Sequence, residues 1–266
     1  MQAGTRPAAF MLKRTDGIVL KSSAYGEADL IVAYLTPDYG LLRAFAKSPR
    51  KVGSRFGSSL EPLTYARIAL FGREESALPK LTQSDIMQPF HSLREDLRCF
   101  LGISEILELN LHFLPEREPN REIFRLLLSI LLKLEANRGN RLYFLYYKIR
   151  FLDLTGYAPR LDICGRCGDR TSPASSHHDF YVAHGSVICP ACISDGEESL
   201  RVSGSALKFY RSLVKWDLPT LDRIVPPEHL MPEIAGVIDS HIRYALGPTR
   251  SAYDRFFRDD PRMRKS

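Results

Sequence analysis

Residues 41–47 read Leu41-Leu42-Arg43-Ala44-Phe45-Ala46-Lys47. Side chains flip to opposite faces at each step of a strand, so Leu42, Ala44 and Ala46 share one face and Arg43, Phe45 and Lys47 the other. The stretch 63–71 repeats the theme, with Ile68 and Leu70 on one side and Tyr65, Arg67 and Phe71 on the other. Outward from these two, residues 18–21, 30–36 and 77–82 are further short runs rich in β-branched and aromatic residues. Turn signals such as Thr36-Pro37-Asp38-Tyr39-Gly40 separate them. Five short strands followed by helices suit a small closed barrel, which leaves no exposed sheet edge.

Aromatic rings interleaved with cations on a sheet face are what a single-strand binder needs: rings stack on bases and cations neutralise phosphates. The loop after residue 47 adds Arg50, Lys51, Arg55 and Phe56, and no acid occurs from Leu41 to Leu60. Candidate nucleic-acid contacts are therefore Arg43, Phe45, Lys47, Arg50, Lys51, Arg55, Tyr65 and Arg67. For Phe45, Tyr65 and Phe71, packing against the barrel or its helical cap is the competing role. For the loop, cations without a counter-charge would repel one another, which favours a polyanionic partner. The charge distribution agrees. Of the formal +6, residues 1–80 hold 12 Lys+Arg against 7 Asp+Glu, while residues 81–266 hold 25 against 24.

From Ser92 the period changes to that of helices. Leu93, Leu97, Leu101, Leu107, Leu111 and Leu114 predict one helix ending at Pro115, and residues 121–138 predict a second, with Gly139 as its C-cap. Leu142, Leu145, Ile149 and Leu152 mark a third, ending at Thr155-Gly156. Ser203 or Ser205 caps another, and a last helix runs over 231–246. Cys99 reads as a buried, inert thiol. No window approaches a membrane span and no secretory leader is evident, so a soluble, cytoplasmic protein is expected. Met11 is a second candidate start besides Met1.

The other four cysteines form Cys164-Gly-Arg-Cys167 and Cys189-Pro-Ala-Cys192, 21 residues apart. Two residues between cysteines let both thiolates of a knuckle face one ion, and Gly165 and Gly168 supply turn freedom. Two knuckles make a tetrahedral four-cysteine site holding one structural Zn2+, with no open position for water. His177, His178 and His184 lie between the knuckles, and one of them replacing a cysteine is the alternative. The finger carries Arg166 and Arg170 against Asp169 and Asp179, a neutral field. There is no phosphate-binding GxxxxGK[ST] loop, no GxGxxG, no GxSxG elbow and no HExxH, and no catalytic constellation is found.

Taken in order, 15–21 (Thr-Asp-Gly-Ile-Val-Leu-Lys), 25–29 (Tyr-Gly-Glu-Ala-Asp), 36–40 (Thr-Pro-Asp-Tyr-Gly) and 54–62 (Ser-Arg-Phe-Gly-Ser-Ser-Leu-Glu-Pro) resemble the opening of the RecO family of DNA repair proteins. A helical middle and a four-cysteine insert follow in the family's order. Ser48-Pro49 departs from the glycine and small residue more usual after that strand. The resemblance implies an α+β multidomain protein, with an N-terminal OB-fold β-barrel and an α-helical domain carrying an inserted four-cysteine zinc finger. The expected boundaries are a flexible N-terminus over 1–14, the OB-fold over 15–85, helical segments over 90–160 and 200–250, the finger over 161–195 and a tail over 251–266. It further implies a non-enzymatic mediator of recombination in the RecF pathway that binds single- and double-stranded DNA and anneals complementary strands. Such a protein works with RecR, contacts the acidic C-terminal tail of single-stranded DNA-binding protein (SSB), and thereby helps RecA indirectly. Arg121, Arg125 and Lys133, four or eight apart on one helical face, are candidates for the SSB tail, with intrahelical or surface roles as the alternative. The rival reading is a zinc-ribbon transcription or RNA-binding factor.

Overall fold

A computed structural model describes residues 10–50, 54–73, 78–137, 140–171, 176–193 and 196–247. The chain divides into two compact units, Met1–Gly139 and Asn140–Ser266.

In the first unit, β1 (Phe10–Tyr25), β2 (Asp29–Thr36), β3 (Gly40–Ala46), β4 (Tyr65–Arg73) and β5 (Lys80–Gln88) form a closed barrel in the order β1-β2-β3-β5-β4. The first strand is far longer than the periodicity at 18–21 suggested. It begins at Phe10, so residues 10–14 of the expected flexible N-terminus are paired strand, with Phe10 opposite Arg73. Its first half pairs with β4 and its second half with β2, the ladder shifting between Val19 and Lys21. One extra residue there bends the strand and lets it serve two neighbours. The barrel closes through a parallel bridge between Phe45 and Lys80. Its interior is filled by Val19, Val32, Tyr34, Leu42, Ile68, Leu70 and Leu81, and plugged by Phe56 and Leu60 from the β3–β4 connection.

The helix expected from Ser92 to Leu114 is two helices, α1 (His91–Glu95) and α2 (Leu97–Phe113). Asp96 is extended and its carboxylate accepts from the Cys99 N–H at 2.8 Å, so it caps a new helix instead of continuing the old one. Cys99 is buried, as expected. The third helix, α3 (Arg121–Ala136), starts at an Asn120 cap and stops at Asn137. Gly139, its expected cap, lies outside the described residues, as do Lys51 and the expected C-terminal tail.

The segment between α2 and α3 is strapped across the β2–β3 turn. Glu116 pairs with Leu41 and binds Arg43 at 2.6 Å, while the Arg117 N–H donates to the Leu41 carbonyl at 2.9 Å. Arg121 binds Asp38 at 2.8 Å, and Asp38 also accepts from Thr15. Gly40 is required beneath this strap: its φ is +60°, and a Cβ there would lie 2.0 Å from the Glu118 carbonyl oxygen.

In the second unit, α4 (Arg141–Thr155) ends on left-handed Gly156, and a four-stranded sheet follows. Its strands are β6 (Arg160–Cys164), β7 (His177–Tyr181), β8 (Ser186–Ile188) and β9 (Leu200–Ser203), in the order β6-β8-β7-β9. Then come α5 (Gly204–Lys215), capped by Ser203, the short α6 (Leu218–Leu221) and α7 (Leu230–Leu246). Tyr143, Tyr147, Phe151 and Leu152 bury α4 against α5 and α7, and Lys148 reaches Asp239 of α7 at 2.8 Å.

His241 of α7 fastens this helix to the sheet. Its Nε2 bonds the Tyr157 carbonyl at 2.8 Å, its ring packs edge-on to Phe180, and its Nδ1 is buried with no partner among the described residues. Burial lowers its pKa, outweighing the opposing bond to Tyr157. The unfolded chain charges this ring below about pH 6.5 while the folded one resists, so its stabilising contribution is complete above that pH and lost as pH falls below it. Thermal melts of the metal-loaded protein should therefore lose midpoint between pH 7.5 and 6, and His241→Gln should flatten that slope. An equal slope in the variant would mean that other groups carry the effect.

Candidate metal centre and nucleic-acid face

Parallel pairing of β6 with β8, with Cys164 opposite Val187, sets the two knuckles side by side. Cys164 ends β6, and its carbonyl accepts from the Gly168 N–H at 3.0 Å. Cys189 follows β8 and opens a tight turn in which the Cys192 N–H donates to the Cys189 carbonyl at 2.9 Å. Gly168 adopts φ +78°, as a knuckle turn demands. Gly165 is needed for a different reason: a Cβ there would meet the Ser186 Oγ at 1.9 Å.

The four Sγ atoms lie within 4.8 Å of one another, and Cys167 and Cys189 are 3.8 Å apart. His177, His178 and His184 are not in this cluster. Backbone N–H groups of Arg166 and Cys189 point at the Cys164 sulfur, both at 3.4 Å. Burial pushes this thiol up, but the Cys167 N–H first, and then those of Cys189 and Arg166, outweigh it and bring it down to about 6. On Cys167 the Asp169 N–H favours the thiolate, yet the crowded neighbouring thiols and the Asp169 side chain push it up to about 12. A thiolate that a neighbouring thiolate disfavours is what a shared cation stabilises, so the donor set fits a metal ion. Arg166 ties the knuckles together, bonding the Cys192 carbonyl at 2.5 Å and Glu197 at 2.6 Å.

On the barrel, β3 carries buried Leu42, Ala44 and Ala46 inward and Arg43 and Phe45 outward, as its alternation predicts; the strand ends at Ala46, and Lys47 is exposed just beyond it. Arg50 and Arg55 are exposed in the connection that follows β3, and Arg55 sits over the Phe56 ring at 5.0 Å. The structure adds residues that the sequence reading missed. Tyr25, 55% exposed, meets Phe45 edge to face at 5.9 Å. Lys21 lies on the same outer face of β1, opposite Ala33 of β2, and Lys80 pairs beside Phe45. Their signal was present in the Lys21-Ser-Ser-Ala-Tyr25 alternation, but only a strand running to Tyr25 exposes it.

Tyr65 and Arg67 are not brought to this face, because β5 lies between β3 and β4. The Tyr65 ring packs 6.3 Å from Phe124, and the Tyr65 hydroxyl and the Arg67 Nε each donate to the Asp16 carboxylate at 2.9 Å. Burial raises the Asp16 pKa, but these two bonds outweigh it and hold the carboxyl below its usual range. On α3, Arg121 is engaged by Asp38, Arg125 is exposed one turn on, and Lys133 lies two turns beyond that. No helix among the described residues is long and apolar enough to cross a membrane.

Comparison with known proteins covers most of the chain. Residues 11–90 match the family model described as recombination protein O N terminal, and residues 94–252 match recombination protein O C terminal. Proteins named DNA repair protein RecO are similar over most of their length. That of Thermodesulfovibrio yellowstonii is 43% identical over 238 residues, covering 88% of this chain and 93% of the relative. That of Dehalococcoides mccartyi (strain 195) is 32% identical, covering 91% and 92%. That of Myxococcus xanthus is 32% identical, covering 90% and 94%.

Because the buried apolar cluster around Cys164 holds, among the described residues, Tyr181 and Ile188 besides the cysteines, metal binding should supply much of this region's folding energy. Chelation is expected to open 161–193 to protease while 15–80 stay intact. Resistance of the cysteine region after complete metal removal would count against this.

Proposed function

The chain belongs to the RecO family of DNA repair proteins, and we propose that it acts as a non-enzymatic recombination mediator. It binds single- and double-stranded DNA, anneals complementary strands and works with RecR. It contacts the acidic tail of SSB to help RecA take over the strand. The observation that carries this reading is the outer face of β3. There Phe45 meets the exposed Tyr25 edge to face, Lys21 and Lys80 lie on flanking strands, and the exposed Lys47 and Arg50 follow directly after β3, the Arg50 N–H donating to the Ala28 carbonyl beside the β1–β2 turn. A strand laid across it meets rings for its bases and cations for its phosphates.

Arg43 contributes less in this reading, since Glu116 already shares its charge, and the same holds for Arg67 with Asp16. The α3 cations Arg121, Arg125 and Lys133 are the proposed contacts of the acidic tail, for which Arg121 exchanges Asp38.

The resident ion is proposed to be one structural Zn2+ held by Cys164, Cys167, Cys189 and Cys192. A tetrahedron with Zn–S bonds of about 2.3 Å has sulfur edges of about 3.8 Å, and the Cys167–Cys189 separation of 3.8 Å supports it. When bound, the ion neutralises the thiolates and pins the knuckles. Metal analysis of protein purified without chelator is expected to return one zinc per chain; finding no zinc would refute the assignment.

A salt titration of single-stranded DNA binding tests the face. If Lys47 and Arg50 each neutralise one phosphate, Lys47→Ala/Arg50→Ala should flatten the log–log slope by about 1.4, at roughly 0.7 per contact. Arg43→Ala should flatten it less. An unchanged slope in the double variant would move strand binding to another surface.

A further inference from the structure

In the second unit, α5 turns a row of cations outward. Its twelve residues include Lys208, Arg211 and Lys215 and no acid. At about 100° per residue these three fall within an arc of about 60° on one side of the helix. Ala206, Phe209, Tyr210 and Leu213 are buried on the other. Lys208 and Lys215 are exposed and Arg211 is half-buried, and none of the three forms an ion pair among the described residues.

The carboxylates around the helix are engaged elsewhere. Glu233 accepts from the Ser203 hydroxyl at the start of α5, Asp153 from Arg150, and Asp217 from the Thr220 N–H. Residues 172–175, ahead of neighbouring β7 and outside the described residues, read Ser-Pro-Ala-Ser and add no charge. The field of Arg211 reaches β7, where burial, and after it this charge, lower the His178 pKa. Like charges one turn apart destabilise a helix, and a polyanion laid along the row removes that repulsion.

The kind of polyanion follows from what the row lacks. The β3 face offers rings to unpaired bases, whereas Phe209 and Tyr210 of α5 are buried and the helix exposes no large apolar side chain. Cations without rings suit a phosphate backbone whose bases are already stacked, and contacts of that kind position a duplex without reading it. Lys208 and Lys215 lie about 10 Å apart along the helix axis, which is about three phosphate steps of a duplex strand at roughly 3.4 Å each. We propose that the outer face of α5 is a duplex-binding surface, on which Lys208, Arg211 and Lys215 each neutralise one phosphate. This rests on the reading that the chain binds double-stranded DNA, and adds where the duplex is held.

The test uses the full, metal-loaded chain and measures salt slopes for a blunt DNA duplex and for oligothymidylate. Two variants are compared, Lys208→Gln/Arg211→Gln/Lys215→Gln on α5 and Lys47→Gln/Arg50→Gln on the barrel, with thermal midpoints checking that both fold. At roughly 0.9 per contact, the α5 variant should flatten the duplex slope by about 2.7 and leave the oligothymidylate slope unchanged. Lys215→Gln alone should flatten the duplex slope by about 0.9. A duplex slope that stays unchanged in the α5 variant, while the wild-type protein binds duplex, would overturn this assignment and leave the parent reading standing. No duplex binding by the wild-type protein would overturn both. Flattening of the oligothymidylate slope as much as the duplex slope, or instead of it, would overturn the assignment to duplex. So would binding of a labelled poly-aspartate peptide that is lost in the α5 variant while its duplex slope is unchanged, which would give the face to a protein partner.

Discussion

One strand has to hydrogen-bond to two neighbours that diverge, and the first unit depends on how it does so. β1 gives its first nine residues to β4 and its last eight to β2, sharing Ile18 between them. The ladder shift between Val19 and Lys21 lets it turn, and the Val19 N–H and C=O are taken up instead by Thr64 and Leu63, each at 2.9 Å. The bend leaves neither of these backbone groups orphaned. Closure follows, and with it the sidedness of every other strand. Once Val19, Val32 and Leu42 turn inward together, Arg43 and Phe45 have no direction left but outward. The outer face of this RecO-family barrel is the complement of its core.

The second unit solves a different problem. Its helices bury large side chains all round α4, so they are stable by burial. The sheet beside them is made of strands of three to five residues, with few apolar side chains to bury. It is secured at one end by the cysteine cluster and at the other by β9, whose Ser203 both pairs with His177 and caps α5. Arg166 adds a third tie by spanning the knuckles to Glu197. A metal ion suits this position because it draws on four thiolates and needs no large core.

How legible these features were depended on how local their causes are. The β3 alternation, the CxxC pairs and the Gly156 and Ser203 caps involve neighbours within a few residues, and the structure places them as read. The length of β1 was missed because Met11-Leu-Lys-Arg has no strand pattern of its own. It is a strand because β4 pairs with it, residue for residue, from Phe10 to Ile18. The α1–α2 break was missed because leucine spacing runs straight through Asp96, where one capping bond outweighs the period. Tyr65 and Arg67 carry the same alternation as β3, yet Asp16 from another strand claims both.

The amino-acid sequence by itself determined the barrel-then-helices order, the four clustered cysteines, the concentration of positive charge in the first third and the family. Each of these is a matter of residue type and spacing. Only the tertiary structure decided which cations are already paired: an arginine's partner is set by whatever acid the fold brings within about 3 Å, and Glu116 lies 73 residues from Arg43 in the chain. Coulomb interactions fall with distance in space and are indifferent to separation along the chain, so charge counted in sequence becomes a surface only after folding has brought the acids and cations together.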